Sequence, residues 1–238
     1  MKRKISLGII ICLILCGLGF GIYVGDYYHA NTQQIEAYQV NKEIDVLVED
    51  GNYIFMPEEV DAGFIFYPGG KVEAEAYIPL LKEIASQNVL CVLIDMPFNL
   101  AVFDINAAND VLDDYSDGIN WYIGGHSLGG AMAASYAAKQ DQFQGLVLLG
   151  AYSTADLTQN DLNVLSIYGS EDQVLNADKY ESNLINLPKD YKEVIIDGGC
   201  HAYFGMYGAQ EGDGTPSISN ETQIQVTAEA ITTMTKGN

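Results

Sequence analysis

One long apolar run opens the chain, and short apolar runs alternating with amphipathic stretches follow it. Ile5–Gly25 holds 21 residues without a charge, ISLGIIICLILCGLGFGIYVG. A bilayer core takes about 20 such residues as a helix. Asp26–Ile35 is polar and reads as a short stalk. Ile44–Val48 and Tyr53–Met56 flank Glu49-Asp50-Gly51-Asn52, the signature of a hairpin. Strands are then predicted at Gly63–Tyr67, Val89–Ile94, Asn120–Ile123, Leu146–Leu149, Val164–Tyr168 and Glu193–Ile196. Helices are predicted at Ala74–Ser86, Asn106–Tyr115, Gly129–Lys139, Ala177–Leu184 and Glu221–Thr235. In Ala74–Ser86, Tyr77, Leu80, Leu81 and Ile84 fall on one helical stripe. Apolar strands alternating with helices give a mostly parallel sheet covered on both faces, and the opening hairpin adds an antiparallel edge. The pattern therefore divides the chain into an anchor at 1–25, a stalk at 26–35 and one α/β domain at 36–238. In such sheets function lies at the carboxyl ends of the strands.

Charge sharpens the reading of the first segment. Lys2, Arg3 and Lys4 precede the apolar run, and beyond Gly25 stand 32 acidic residues, 8 lysines and no arginine. The basic flank stays cytoplasmic, which places the body outside the cell membrane as the extracytoplasmic part of a single-pass signal-anchor protein. A cleaved signal peptide is the alternative; its apolar core usually runs about 7–15 residues before a small-residue site. Here the run is longer, and Ala30 has Tyr28 two positions before it. So acidic a body has few cations to displace counterions from phosphates, which excludes a nucleic-acid partner. Cys12 and Cys16 lie in the run; Cys91 and Cys200 make no disulfide framework, and Cys91 reads as a buried small hydrophobe.

The chemistry gathers at strand ends. After the strand at Asn120–Ile123 comes Gly125-His126-Ser127-Leu128-Gly129, a G-x-S-x-G turn into a helix. Such a turn holds its serine in a strained backbone, and flanking glycines remove the Cβ atoms that would clash. Ser127 is the candidate nucleophile, raised at a helix N-terminus where free N–H groups favour an oxyanion. It needs a base. Of three histidines, His29 is in the stalk and His126 is aimed elsewhere by the turn, which leaves His201 after the strand Glu193–Ile196. The orienting carboxylate comes between Ser and His in chain order. Asp172, after Val164–Tyr168, is the choice, with Glu171 as its rival. For the oxyanion hole the candidates are the N–H groups of Leu128 and of Gly70, in Pro68-Gly69-Gly70-Lys71. Asp156, Asp161, Asp178 and Asp197 read as solvated surface charge. No spacing suits a metal, no phosphate loop is present, and no cofactor is implied.

Taken together, FYPGGKV (Phe66–Val72), DMPFNLAVF (Asp95–Phe103), GGHSLGGAMAA (Gly124–Ala134), YGSEDQV (Tyr168–Val174) and GGCHAYFGMYG (Gly198–Gly208) resemble the alpha/beta-hydrolase superfamily. Within it the chain is similar to the small "alpha/beta hydrolase fold-5" branch, related to dienelactone-hydrolase-like proteins. The resemblance implies a triad of Ser127, Asp172 and His201 and a hole at Gly70 and Leu128. One departure is Cys200, an unusual neighbour for a catalytic histidine. Many relatives carry a lid after the strand that follows the elbow helix; here only Gly150–Asn163 is available, so an open site is expected. Met96–Phe103 and Tyr203–Tyr207 are candidates for its walls.

The expected activity is a membrane-anchored serine hydrolase acting on a small ester or on an acyl group of a surface polymer. An acyltransferase with the same triad, or a catalytically silent surface binding protein, is the alternative. Oligomeric state leaves no readable trace.

Overall fold

The computed structural model describes residues 2–40, 42–115 and 118–237, the side chains of residues 2–11 excepted. The chain opens with helix α1 (Lys2–Gly25). Among the described residues no helix is long and apolar enough to cross a membrane. The expected span Ile5–Gly25 begins on side chains outside them. A short helix α2 (Thr32–Ala37) follows, capped by the Asn31 side chain, which accepts from the Gln34 N–H.

Strands β1 (Asp45–Glu49) and β2 (Asn52–Met56) form the expected hairpin. Asp50 and Gly51 both have positive φ, 50° and 89°, as a two-residue turn between twisted strands requires. Then come β3 (Ala62–Tyr67), α3 (Ile78–Ala85), β4 (Val89–Leu93), α4 (Ala108–Asp114), β5 (Trp121–His126) and α5 (Leu128–Ala137). Strand β6 (Phe143–Leu149), β7 (Asn163–Gly169), α6 (Ala177–Asn183), β8 (Lys192–Ile196) and α7 (Asn220–Lys236) complete the fold. The sheet order is β1-β2-β4-β3-β5-β6-β7-β8. Strand β2 runs antiparallel to both its neighbours, β1 and β4, and the other described pairs are parallel.

Alternate residues of the central strands feed two cores. From β3, Phe64 and Phe66 face the layer holding Tyr77, Leu80 and Leu81 of the α3 region and Ile224 and Ile231 of α7. Ile65 and Tyr67 face the opposite layer, with Val111 and Leu112 of α4 and Ala133, Ala134 and Ala137 of α5. Each large side chain so buried contributes about 1.5–3 kcal/mol.

Several boundaries differ from those the pattern predicts, β6 starting three residues early at Phe143, and two of the differences have a plain cause in backbone chemistry. The stretch Ala74–Ser86 splits into a 3-10 turn, Ala74–Tyr77, and α3, because Pro79 lacks an N–H and fits only the first turn of a helix. Strand β5 runs three residues past Ile123, through Gly124, Gly125 and His126. A Cβ on Gly124 would stand 2.7 Å from the Val147 carbonyl oxygen, so only a glycine lets the strand continue between its neighbours.

Candidate active site

Ser127 sits between β5 and α5 at φ 51° and ψ −119°, a backbone that non-glycine residues adopt only under constraint. The constraint is visible. The Ser127 N–H donates to the Leu149 carbonyl at 2.9 Å, and its own carbonyl accepts from Ala131 at 3.1 Å. A Cβ on Gly129 would lie 2.2 Å from the carbonyl oxygens of both Tyr67 and Pro68, and one on Gly125 would lie 2.5 Å from Tyr67 O. The two glycines let the turn press against the end of β3, where the second half of the hole was expected.

There Gly70 lies against Leu128: a Cβ built on it would meet the Leu128 side chain at 2.8 Å. The neighbouring Gly69 N–H is already used, donating to Tyr77 Oη at 3.0 Å. Among the described residues the Gly70 N–H donates to no carbonyl or side chain. The fold thus brings Gly70 and Leu128, the two residues expected to supply the oxyanion donors, into close approach.

His201 Nδ1 donates to Asp172 Oδ2 at 2.8 Å, with both side chains 1% exposed. The other carboxylate oxygen of Asp172 accepts from the N–H groups of Val174 and Leu175, at 3.0 and 2.8 Å. This fixes the carboxylate and with it the imidazole ring. Glu171, the rival, is exposed, and among the described residues its carboxylate accepts only from the Ser170 hydroxyl, at 3.3 Å. Among the described residues His201 Nε2 is buried without a hydrogen-bond partner, so the bond between Ser127 Oγ and Nε2 is not made. Catalytic hydrogen bonds are often long in a free enzyme and tighten in its complexes. Ser127 and His201 line one cleft of about 340 Å³ with Leu128, Met132, Tyr152 and Leu175.

Sequence reasoning missed three members of this site. Gly150, at φ 51°, lies against the pair: a Cβ there would stand 2.8 Å from His201 Nδ1 and 3.1 Å from Asp172 Oδ2. Asp213 ties the loops of base and acid together. Its carboxylate accepts from the N–H groups of His201 and Ala202, at 3.2 and 2.8 Å, and from Gln173 at 3.4 Å. Gln223 of α7 holds the residue before the base, accepting from Cys200 N–H at 3.0 Å and donating to its carbonyl at 2.8 Å. The only available signals were a loop carboxylate and a glutamine on a helix, both common.

His126, which the turn was expected to aim away from the nucleophile, has its ring 4.4 Å from that of His201 and 5.4 Å from that of Phe204. Its Nδ1 is 2.8 Å from Tyr77 Oη, the same oxygen that holds Gly69. Burial first, and then His201 beside it, pushes this imidazole well below the ordinary histidine value, so it stays neutral. Cys200 is buried, and burial followed by the Asp213 carboxylate raises its thiol to about 12. It is a packing residue.

The expected walls also differ. Met96 and Ala101 are core residues, whereas Phe98 and Phe103 are exposed and lie outside the cleft. Tyr203 lines a separate hollow beside Cys200 and Asp213. Between β6 and β7, residues 150–162 form no helix, so no cap is built there. The carboxylates Asp156, Asp161, Asp178 and Asp197 are exposed as expected. A larger hollow of about 430 Å³, between the hairpin and α4, is lined by carboxylates and holds no nucleophile.

The sheet, the elbow and the loops after β3, β7 and β8 together define a class. Residues 63–225 match the model of the alpha/beta hydrolase family, and the chain belongs to that family. Solved structures of the same fold include TT1662 from Thermus thermophilus, 12% identical, covering 83% of this chain and 100% of that one at a TM-score of 0.61. A predicted CIB-like hydrolase from Thermoplasma acidophilum is 12% identical, covering 80% of this chain and 97% of that one at 0.54. The 2,6-dihydroxy-pseudo-oxynicotine hydrolase is 14% identical, covering 82% of this chain and 68% of that one at 0.58. No curated protein sequence matches the chain.

Proposed function

We propose that this hydrolase-family chain is a serine esterase, held at a membrane by its N-terminal helix with the catalytic domain on the extracytoplasmic side. The observation that carries the reading is the buried pair of His201 and Asp172, 2.8 Å apart, opening on the same cleft as a serine in a constrained elbow. A buried, doubly oriented histidine beside a nucleophile is the arrangement acyl transfer needs.

Ser127 Oγ attacks the ester carbonyl carbon as His201 Nε2 takes its proton. Negative charge develops on the carbonyl oxygen, where the N–H groups of Leu128 and Gly70 stabilise it; one such donor is worth about 10²–10³ in rate. Asp172 stabilises the imidazolium without taking its proton. That proton then passes to the leaving alkoxide as the C–O bond breaks. Water, deprotonated by His201, attacks the acyl-enzyme and releases acid and free serine. The absence of a cap over residues 150–162 favours small esters, or acyl groups projecting from a surface polymer. The same openness admits an alcohol in place of water, which is the acyltransferase reading. Anchoring rests on the uncharged run Ile5–Gly25 behind Lys2, Arg3 and Lys4.

A silent binding protein has one observation on its side, the unmade bond at His201 Nε2. Pre-steady-state kinetics with an activated short-chain aryl ester separate the readings. A burst of phenol equal to the protein present, followed by slower turnover, is expected. Adding alcohols and analysing the products then divides hydrolysis from transfer. A folded chain with no burst would favour binding.

A further inference from the structure

Helix α1 does not lead into a loose stalk. Only Asp26 and Tyr27 separate its end at Gly25 from Tyr28, which bridges to Val72 beside the oxyanion loop. The Tyr28 N–H donates to Lys71 O at 2.7 Å, and the Glu73 N–H donates back to Tyr28 O at 3.0 Å. The Glu73 carboxylate takes the Ala30 N–H at 2.7 Å and meets His29 Nδ1 at 2.8 Å. Lys71 pairs with Asp26 at 2.9 Å and stands 4.8 Å over the Tyr23 ring. The helix end is thus pinned one residue from Gly70.

A second contact lies further down the helix. Phe20 meets Phe98 edge-on at 5.4 Å and Phe103 at 5.9 Å, and those two rings are 5.6 Å apart. Phe98, Val102 and Phe103 are nonetheless 54%, 43% and 51% exposed. Phe98 and Asn99 both have positive φ, 57° and 55°, a strained turn that holds Phe98 outward. The turn is tied to the oxyanion loop, the Lys71 N–H donating to Asn99 O at 2.7 Å. The next turn, Ala101–Phe103, packs on α5, whose Leu128 and Met132 line the cleft.

Phe20 lies five residues before the end of α1, about 7–8 Å along its axis. Interfacial apolar groups enter a bilayer by about 5–10 Å. If α1 spans the bilayer, rings packed on Phe20 lie at that depth. We propose that Phe98, Val102 and Phe103 insert into the outer leaflet beside α1, docking the catalytic domain on the lipid with its oxyanion-loop side toward the membrane. This rests on the anchoring proposed above and deepens it: the substrate class becomes acyl esters presented at the lipid surface. The acidic body repels anionic headgroups, so the occupant is a zwitterionic or neutral lipid surface.

The test uses the full chain in phosphatidylcholine vesicles brominated at a shallow acyl position. The single tryptophan, Trp121, is 3% exposed and serves as the internal blank. Phe20→Trp reports on the helix, and Phe98→Trp on the patch, with Phe103→Trp as a second reporter should the turn not accept the first. The proposal expects loss of emission from Trp introduced at both 20 and 98, and none from Trp121. Quenching at 20 without quenching at 98 or 103 leaves the anchor standing and overturns the docking. Quenching at neither overturns both.

Discussion

Gly150 and Asp213 show what a sequence hides at the scale of single residues. Each contributes to the site through atoms that meet only in the fold: Gly150 by lacking a Cβ where His201 and Asp172 come together, Asp213 by collecting N–H groups from two loops. Ser127, His201 and Asp172 could be named as candidates because the elbow motif and the order Ser, Asp, His are written along the chain, and the fold places His201 against Asp172 and on one cleft with Ser127. His126 was excluded as the base, but its place against His201 was not legible, because a ring contact between a strand end and a distant loop has no sequence spacing. Asp172 carries the sharpest expectation at this scale. Asp172→Asn keeps an acceptor for Val174 and Leu175 but favours the wrong tautomer of His201. Turnover of an activated ester falls by about 10⁴ while the fold persists, as steady-state kinetics beside a thermal scan will show. An unchanged rate would remove Asp172 from the mechanism.

At the scale of elements, every predicted strand is present, because buried parallel strands are continuous apolar runs bounded by turns. Boundaries moved where backbone chemistry intervened, at Pro79 and at the glycines ending β5. The short helix Thr32–Ala37 escaped notice: six residues give too little periodicity, and its support comes from Asn31 and the domain surface. The elbow joins elements most tightly at Gly129. In Gly129→Ala the new Cβ meets the Tyr67 and Pro68 carbonyls, which are backbone and cannot swing aside. Overpacking of this kind costs about 1–3 kcal/mol. In a domain of this size each kcal/mol is about 2–4 °C in Tm. A lowered Tm together with lost serine labelling is expected; an unchanged Tm would mean that the elbow and the end of β3 are not in this contact.

For the whole molecule, the sheet order and the pinning of α1 were out of reach of pattern reading, since both depend on which distant segments pair. Charge is a property of the whole, and so is its response to acid. His126 is 1% exposed and stays neutral in the fold, while the unfolded chain takes up a proton there near pH 6.5. Below about pH 6.5 the unfolded state therefore binds more protons, and stability falls by up to about 1.4 kcal/mol per pH unit; above it the contribution is flat. Among the described residues the titratable groups facing His126 are His201 and Tyr77. Urea unfolding of the native chain and of His126→Gln between about pH 5 and 7.5 isolates the effect, and the variant is expected to show the shallower slope.

The proposed chemistry stands or falls on an activated serine. Treating the full chain with a fluorophosphonate and reading the intact mass, beside Ser127→Ala and His201→Ala, tests it most directly. One adduct is expected, on Ser127, absent from both variants. A folded chain that takes no adduct, or one labelled equally well without His201, would contradict it.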